Sequence, residues 1–308
     1  MTVLDATAYL AAEGHEADLL AELGEVMGVY GRVVLAAGPP RPAAWAQNLW
    51  LEPMAIDIAS IGEGAKALRA LQRNWAPYAF HLHRRTQLIQ DRLPSVSAKP
   101  LSFPSPPPKA PLGSWTLLDA NRILAAARCS SPFPNGEIRF QEDKTFPPNR
   151  AYLKLWEAFT ILGMAPLPGE FCLDLGSSPG GWTAVLQQLG ANILSVDKAP
   201  LAPAIAVLPR VEFRRQSAFA LQPREVGPVD WLFCDVICYP ERLLKLVKSW
   251  IDSSLCPRFV CTLKFQGETD HSICREFSAI PQSRLMHLFH NKHELTWVKS
   301  DAGWQAKP

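Results

Sequence analysis

The residues of the 308-residue chain whose types and spacing could do chemistry begin with Asp174-Leu175-Gly176-Ser177-Ser178-Pro179-Gly180-Gly181-Trp182-Thr183. Glycines in a short turn let a backbone approach a ligand closely and take φ values that side chains disfavour. The pattern is not G-x-G-x-x-G, and Pro179 stands inside it, which argues against a dinucleotide pyrophosphate site. No G-K-[ST] follows, so nucleotide hydrolysis on a phosphate cradle is disfavoured as well. Asp197 closes the next apolar run, and a carboxylate there can accept both hydroxyls of a ribose. A glycine loop with an acidic ribose clamp and no phosphate site fits an adenosine ligand without phosphates, such as S-adenosylmethionine. A Gly-Gly pair alone would fit a tight turn in any α/β protein.

These side chains need strands and helices to hold them. Phe171–Leu175 is apolar apart from Asp174 and reads as a strand running into the loop, with a helix over Trp182–Leu189 behind it. Ile193–Val196, Val211–Arg215, Trp231–Cys234 and Phe259–Leu263 read as further strands, with helices over Glu241–Ile251 and after Asp270. Leu285–Phe289 and Leu295–Val298 are close enough to form an antiparallel pair. Apolar strands alternating with helices predict a parallel sheet covered on both faces, a Rossmann-like α/β domain that binds its ligand at the carboxyl ends of its strands.

The first 93 residues pattern differently. Apolar runs at Thr7–Ala12 and Arg32–Ala37 flank helical spacing over His15–Val26. Met54–Ser60, Gly64–Arg73 and Trp75–His81 then read as strand, helix and strand. That order suits a small ferredoxin-like α+β domain over residues 1–93. Seven prolines in residues 94–111 mark a stiff linker. The strand-like Trp115–Leu118 and Arg122–Ala126 would lead into a second domain over 113–308.

The loop resembles the D-L-G-x-x-P-G-G-[WF]-[ST] motif of FtsJ/RrmJ-type RNA ribose 2′-O-methyltransferases, and its context is similar to the bacterial large-subunit rRNA enzymes of that group. Further similar segments are Asn149-Arg150-Ala-Tyr-Leu-Lys154-Leu-Trp-Glu157-Ala-Phe159, Trp231-Leu-Phe-Cys-Asp235, Thr262-Leu-Lys264, and Ser131-Pro132-Phe133 followed by Gly136-x-x-Arg139-Phe140. The resemblance covers about residues 115–300 and is weak before residue 113. It implies a class I S-adenosylmethionine methyltransferase domain, with RNA, and large-subunit (23S) rRNA in particular, as partner. It also implies a Lys-Asp-Lys-Glu catalytic tetrad, matched here by Lys154, Asp235, Lys264 and Glu294. Lys264 is then the base for the ribose hydroxyl, oriented by the other three. The sulfonium carries its own positive charge, so no metal is expected. Cofactor contacts are expected from Asp174, Gly176, Ser177, Ser178, Pro179, Gly180, Gly181, Trp182, Asp197, Ser217 and Asp235. Ser217 departs from the group, which often places an acid there for the adenine amino group. A THUMP RNA-binding module is expected to be absent or degenerate. A catalytically inactive RNA-binding protein, or a methyltransferase for another substrate, would carry many of the same residues.

Composition sets the outer bounds. Apolar residues make up 48% of the chain, enough for a core, and 31 basic against 29 acidic residues give a net charge of +2. That excludes a binder acting by bulk charge, so RNA affinity has to come from local patches. Residues 64–94 hold six basic residues (Lys66, Arg69, Arg73, Arg84, Arg85, Arg92), and Arg139, Lys144 and Arg150 precede the tetrad's first lysine. The seven cysteines have no C-x-x-C spacing and mostly sit in strand-like runs, as reduced thiols of a cytoplasmic protein would. The start of the chain does not read as a secretory signal, and no apolar run is long enough to span a bilayer. His81, His83, His271, His287, His290 and His293 show no metal-ligand spacing.

Overall fold

Apolar alternation becomes sheet in both halves of the chain, with different connectivity in each. The computed structural model describes residues 1–97 and 99–301. Among the described residues, one unit comprises residues 1–101 and 107–139, and the other comprises 102–106 and 140–301.

The first unit contains β1 (Thr2–Val3), β2 (Ala6–Ala11), α1 (Glu16–Leu23), β3 (Gly28–Tyr30), β4 (Val33–Ala37), β5 (Ala46–Leu51) and β6 (Met54–Asp57). It continues with α2 (Ile61–Leu71), β7 (Trp75–Pro77), α3 (His83–Gln90), β8 (Gly113–Asp119), β9 (Arg122–Ala126) and β10 (Arg128–Cys129). Its strands form two five-stranded sheets, ordered β1-β6-β9-β8-β7 and β10-β5-β2-β4-β3. The single ferredoxin-like sheet expected for residues 1–93 is therefore replaced by two. Glu52 takes a φ of 52°, and this left-handed residue with Pro53 turns the chain so that the successive strands β5 and β6 enter different sheets.

The expected boundary moves as well. Trp115–Leu118 and Arg122–Ala126 do not lead into the second domain; they are the β8–β9 hairpin at the heart of the first unit. The physical reason is that β9 is apolar on both sides. Ile123 and Ala125 pack with Ala65 and Leu68 of α2 and Ile89 of α3, while Leu124 and Ala126 pack with Ala8, Val33 and Trp50 of the other sheet. A strand covered on both faces loses the alternation that would have marked it as part of this unit. The proline-rich stretch is thus an excursion between α3 and β8. Its segment Ser102–Pro106 belongs with the second unit, where Phe103 stacks on Trp156 with ring centroids 5.0 Å apart.

The second unit follows the expected Rossmann-like plan. It contains α4 (Tyr152–Leu162), β11 (Phe171–Leu175), α5 (Gly181–Gln188), β12 (Asn192–Asp197), α6 (Pro203–Ala206), β13 (Val211–Arg215) and α7 (Pro223–Val226). Then come β14 (Trp231–Cys234), α8 (Pro240–Ser253), β15 (Arg258–Lys264), α9 (His271–Ser278), β16 (Ser283–Met286) and β17 (Glu294–Ser300). The seven strands are ordered β13-β12-β11-β14-β15-β17-β16. Strands β11 to β15 pair in parallel, and β17 is antiparallel to both β15 and β16. Cys172, Leu173, Leu175 and all of β14 are fully buried, as central parallel strands should be. Six of the seven cysteines are buried and Cys129 is half-buried, all as free thiols. Among the described residues no helix is long and apolar enough to cross a membrane.

Candidate active site

The glycine loop leaves β11 at Gly176, whose φ of +75° suits glycine. A Cβ there would lie 2.9 Å from the backbone nitrogen of Val236, so any side chain would push the loop off the residue that follows Asp235. Gly180 (φ +114°) opens α5, and a Cβ on it would meet Ile205 at 2.8 Å. A Cβ on Gly181 would strike the Asn149 side chain, and the Trp182 indole nitrogen donates to the Ala151 carbonyl at 2.9 Å. The loop is thus clamped between the β14 end and the segment that leads into α4.

The predicted cofactor residues divide by position. Asp174 is fully buried behind the loop, where the Thr183 hydroxyl donates to it at 2.6 Å and Ser195 extends the chain at 2.9 Å. Burial pushes its carboxyl up to about 7 against the Thr183 hydrogen bond. It braces the loop from inside. Trp182 is also buried and acts as a bracket. Ser177 is 4% exposed, and its hydroxyl oxygen is buried with no hydrogen-bond partner. That orphaned polar atom, in a loop kept clear of side chains, suits a polar ligand. Ser178 donates its backbone N–H to Asp197 at 3.0 Å and its hydroxyl to the Pro200 carbonyl at 2.8 Å. Asp197 also accepts the Ala199 N–H at 2.9 Å. Each carboxylate oxygen has one such bond and keeps a lone pair for a ribose hydroxyl. Pro179 accepts the Ala202 N–H at 2.9 Å. Ser217 is half-buried just beyond β13. Together these residues fit an adenosine ligand such as S-adenosylmethionine.

The four tetrad residues, far apart in sequence, come together. Helix α4 supplies Lys154, the β14 end Asp235, and the paired ends of β15 and β17 supply Lys264 and Glu294. Lys154 Nζ lies 2.8 and 3.0 Å from the two Asp235 oxygens and 3.2 Å from Glu294 Oε1. Lys264 Nζ lies 3.0 Å from Asp235 Oδ1 and donates to the Asp235 carbonyl at 2.6 Å. Burial works against the Lys154 charge, but Asp235 and Glu294 outweigh it and hold this ammonium above the ordinary lysine range. Burial likewise works against the Asp235 charge, and Lys154 and Lys264 overcome it, holding the carboxyl below its usual value. Lys154 meets three carboxylate oxygens with three donors and is a fixed cation. Lys264 engages two acceptors, leaving one position on its nitrogen, the lone pair of the neutral amine, for a substrate.

One residue quoted in the sequence without a role proves central. Glu157 lies one turn beyond Lys154 on the same side of α4 and is 1% exposed. It accepts the N–H groups of Phe289 and His290 at 2.7 and 3.0 Å and pairs with His290 Nδ1 at 2.6 Å. It thereby pins the turn that delivers Glu294, so α4 positions two tetrad members. A buried glutamate three residues from a functional lysine was its only signal. Of the expected phosphate contacts, Arg150 pairs with Glu142 at 2.7 Å and Arg139 with Glu137 at 2.9 Å. Their charges are partly neutralised.

The family model described as FtsJ-like methyltransferase matches residues 147–302. Proteins named ribosomal RNA large subunit methyltransferase M are similar to the chain. The one from Halorhodospira halophila is 32% identical over 186 residues, 58% of this chain and 54% of that protein. The one from Alkalilimnicola ehrlichii is 33% identical over 187 residues, 56% of this chain and 51% of that protein. The one from Xanthomonas oryzae pv. oryzae is 30% identical over 269 residues, 81% of this chain and 70% of that protein. The chain thus spans about half the length of the first two relatives.

Proposed function

Since the chain belongs to the FtsJ-like methyltransferase family, we propose that it transfers a methyl group from S-adenosylmethionine to a ribose 2′-hydroxyl of RNA, with 23S rRNA in the cytoplasm as substrate. S-adenosylmethionine supplies the methyl group as an electrophile on a sulfonium. Gly176 to Gly181 would cradle it, with Ser177 giving a hydrogen bond to its polar end and Asp197 accepting its ribose hydroxyls. Lys264, as the neutral amine, would take the 2′-hydroxyl proton on the lone pair left by its two contacts with Asp235. Asp235 orients Lys264 by a carboxylate and a carbonyl contact, and Lys154 with Glu294 balances the charge around it. Positioning the hydroxyl in line with the methyl group supplies most of the acceleration.

The observation that carries this reading is the asymmetry of the two lysines on Asp235. Lys154 is locked by three carboxylate oxygens, while Lys264 keeps a direction open. The exposed cations on and just after α2 and α3 in the first unit, Lys66, Arg69, Arg73, Arg84 and Arg92, offer phosphate contacts that would add affinity for a folded RNA. The test is calorimetric binding of S-adenosylmethionine, followed by tritium transfer to rRNA lacking the modification. Lys264→Ala should bind the cofactor normally and lose transfer by at least a hundredfold. Normal transfer by that variant overturns the assignment.

A further inference from the structure

The turn that follows Asp235 carries two large apolar side chains into solvent. Ile237 is 78% exposed and Tyr239 is 64% exposed, whereas Cys238 between them is 8% exposed and turned into the core. The turn is anchored at its start, because Val236 lies against Gly176 and Asp235 receives both lysines. The two side chains therefore stand within four residues of the tetrad on a braced backbone.

The residues that follow are basic. Helix α8 starts at Pro240, and Arg242 and Lys245 lie exposed on its first turns, with Glu241 as the local acidic residue. The Arg242 guanidinium sits over the Phe219 ring at 3.9 Å, on the loop that also carries Ser217. A stacked guanidinium keeps its edge donors free for an anion. Lys248, further along, is paired with Glu276 at 3.4 Å, so the unpaired positive charge is concentrated at the tetrad end of the helix. An exposed aromatic and an aliphatic side chain beside two cations match the chemistry of an unstacked nucleotide, whose base stacks and whose phosphates pair with cations. A protein partner would want a broader apolar patch with fewer charges.

We propose that Ile237, Tyr239, Arg242 and Lys245 form a lip that holds the nucleotide next to the target ribose, with its base stacked on Tyr239 and its phosphates on Arg242 and Lys245. The proposal rests on the RNA reading above and adds a subsite that holds the strand next to the target ribose whatever its base. The lip holds the substrate strand and leaves the cofactor loop untouched.

The test combines steady-state methyl transfer to 23S rRNA with fluorescence anisotropy of a labelled single-stranded RNA oligonucleotide, on the full chain. Tyr239→Ala should raise KM for rRNA and weaken oligonucleotide binding about tenfold, in line with the loss of one base stack. Its S-adenosylmethionine affinity by calorimetry and its melting temperature should match wild type, and Tyr239→Phe should restore most of the loss. Unchanged KM and RNA binding in Tyr239→Ala overturn the lip and leave the turn to a protein contact. A parallel loss of cofactor affinity overturns it too, by making the turn a support of the glycine loop. If wild type transfers no methyl to rRNA yet Tyr239→Ala still weakens oligonucleotide binding, the lip stands and the proposed reaction falls.

Discussion

Replacing Asp235 with Asn isolates what one carboxylate does for two lysines. Asp235 meets Lys154 at 2.8 Å and Lys264 at 3.0 Å, and the three side chains are 16, 10 and 19% exposed. Removing one partner of a fully buried ion pair costs about 3–5 kcal/mol. Glu294 stays 3.2 Å from Lys154 and an amide oxygen can still accept one hydrogen bond, so the expected cost here is about 2–3 kcal/mol. For a unit of this size that lowers the melting temperature by roughly 5–10 °C. The pH dependence has a definite sign. The folded-state pKa of Asp235 lies below its unfolded value, so its stabilisation is present above about pH 4 and is lost as the pH falls through the folded value. Lys154 is shifted up, so its share holds through neutral pH and is lost only as the pH rises through its folded value. Melting curves of wild type and Asp235→Asn should therefore lie far apart at pH 7 and converge below pH 4. Equal melting temperatures at pH 7, or a gap that widens in acid, would refute the coupled cluster.

Two further predictions follow the same geometry. The Asp174 carboxyl is raised to about 7 by burial, so its ionisation opposes folding as the pH climbs from about 4 through 7; Asp174→Asn should gain melting temperature relative to wild type between pH 5 and pH 8, measured by differential scanning calorimetry. Glu157→Ala strips the turn before Glu294 of three hydrogen bonds and should cost about 3 kcal/mol, with kcat falling while S-adenosylmethionine affinity holds, and with Glu157→Gln recovering part of kcat.

The second unit could be read from the sequence because its signals are local. Phe171–Leu175, the glycine loop and Trp231–Asp235 each carry their meaning within a few residues, and the parallel sheet follows from their alternation. The tetrad came from motif resemblance, and the sheet order explains its convergence, since Lys264 and Glu294 face each other across β15 and β17. The first unit was harder for a physical reason. Its core depends on β9 packing both faces against partners more than fifty residues upstream, Ala65 on one side and Ala8 on the other, and no local pattern encodes that. The prolines at 94–111 punctuate the chain without ending the unit, because an excursion and a linker have the same composition. Ala46–Leu51 escaped notice because Gln47 and Asn48 break its apolar run. Asp174 and Trp182 read as ligand contacts from the motif; both are buried, Asp174 against the Thr183 hydroxyl and Trp182 against the Ala151 carbonyl.

The most direct measurement locates the transferred methyl group. Undermethylated 23S rRNA is incubated with the full chain and labelled S-adenosylmethionine, digested to nucleosides and analysed by mass spectrometry. The expected result is label confined to one 2′-O-methylribonucleoside, with none from Lys264→Ala. Label on a base, or equal ribose labelling by Lys264→Ala, would contradict ribose methylation by this tetrad.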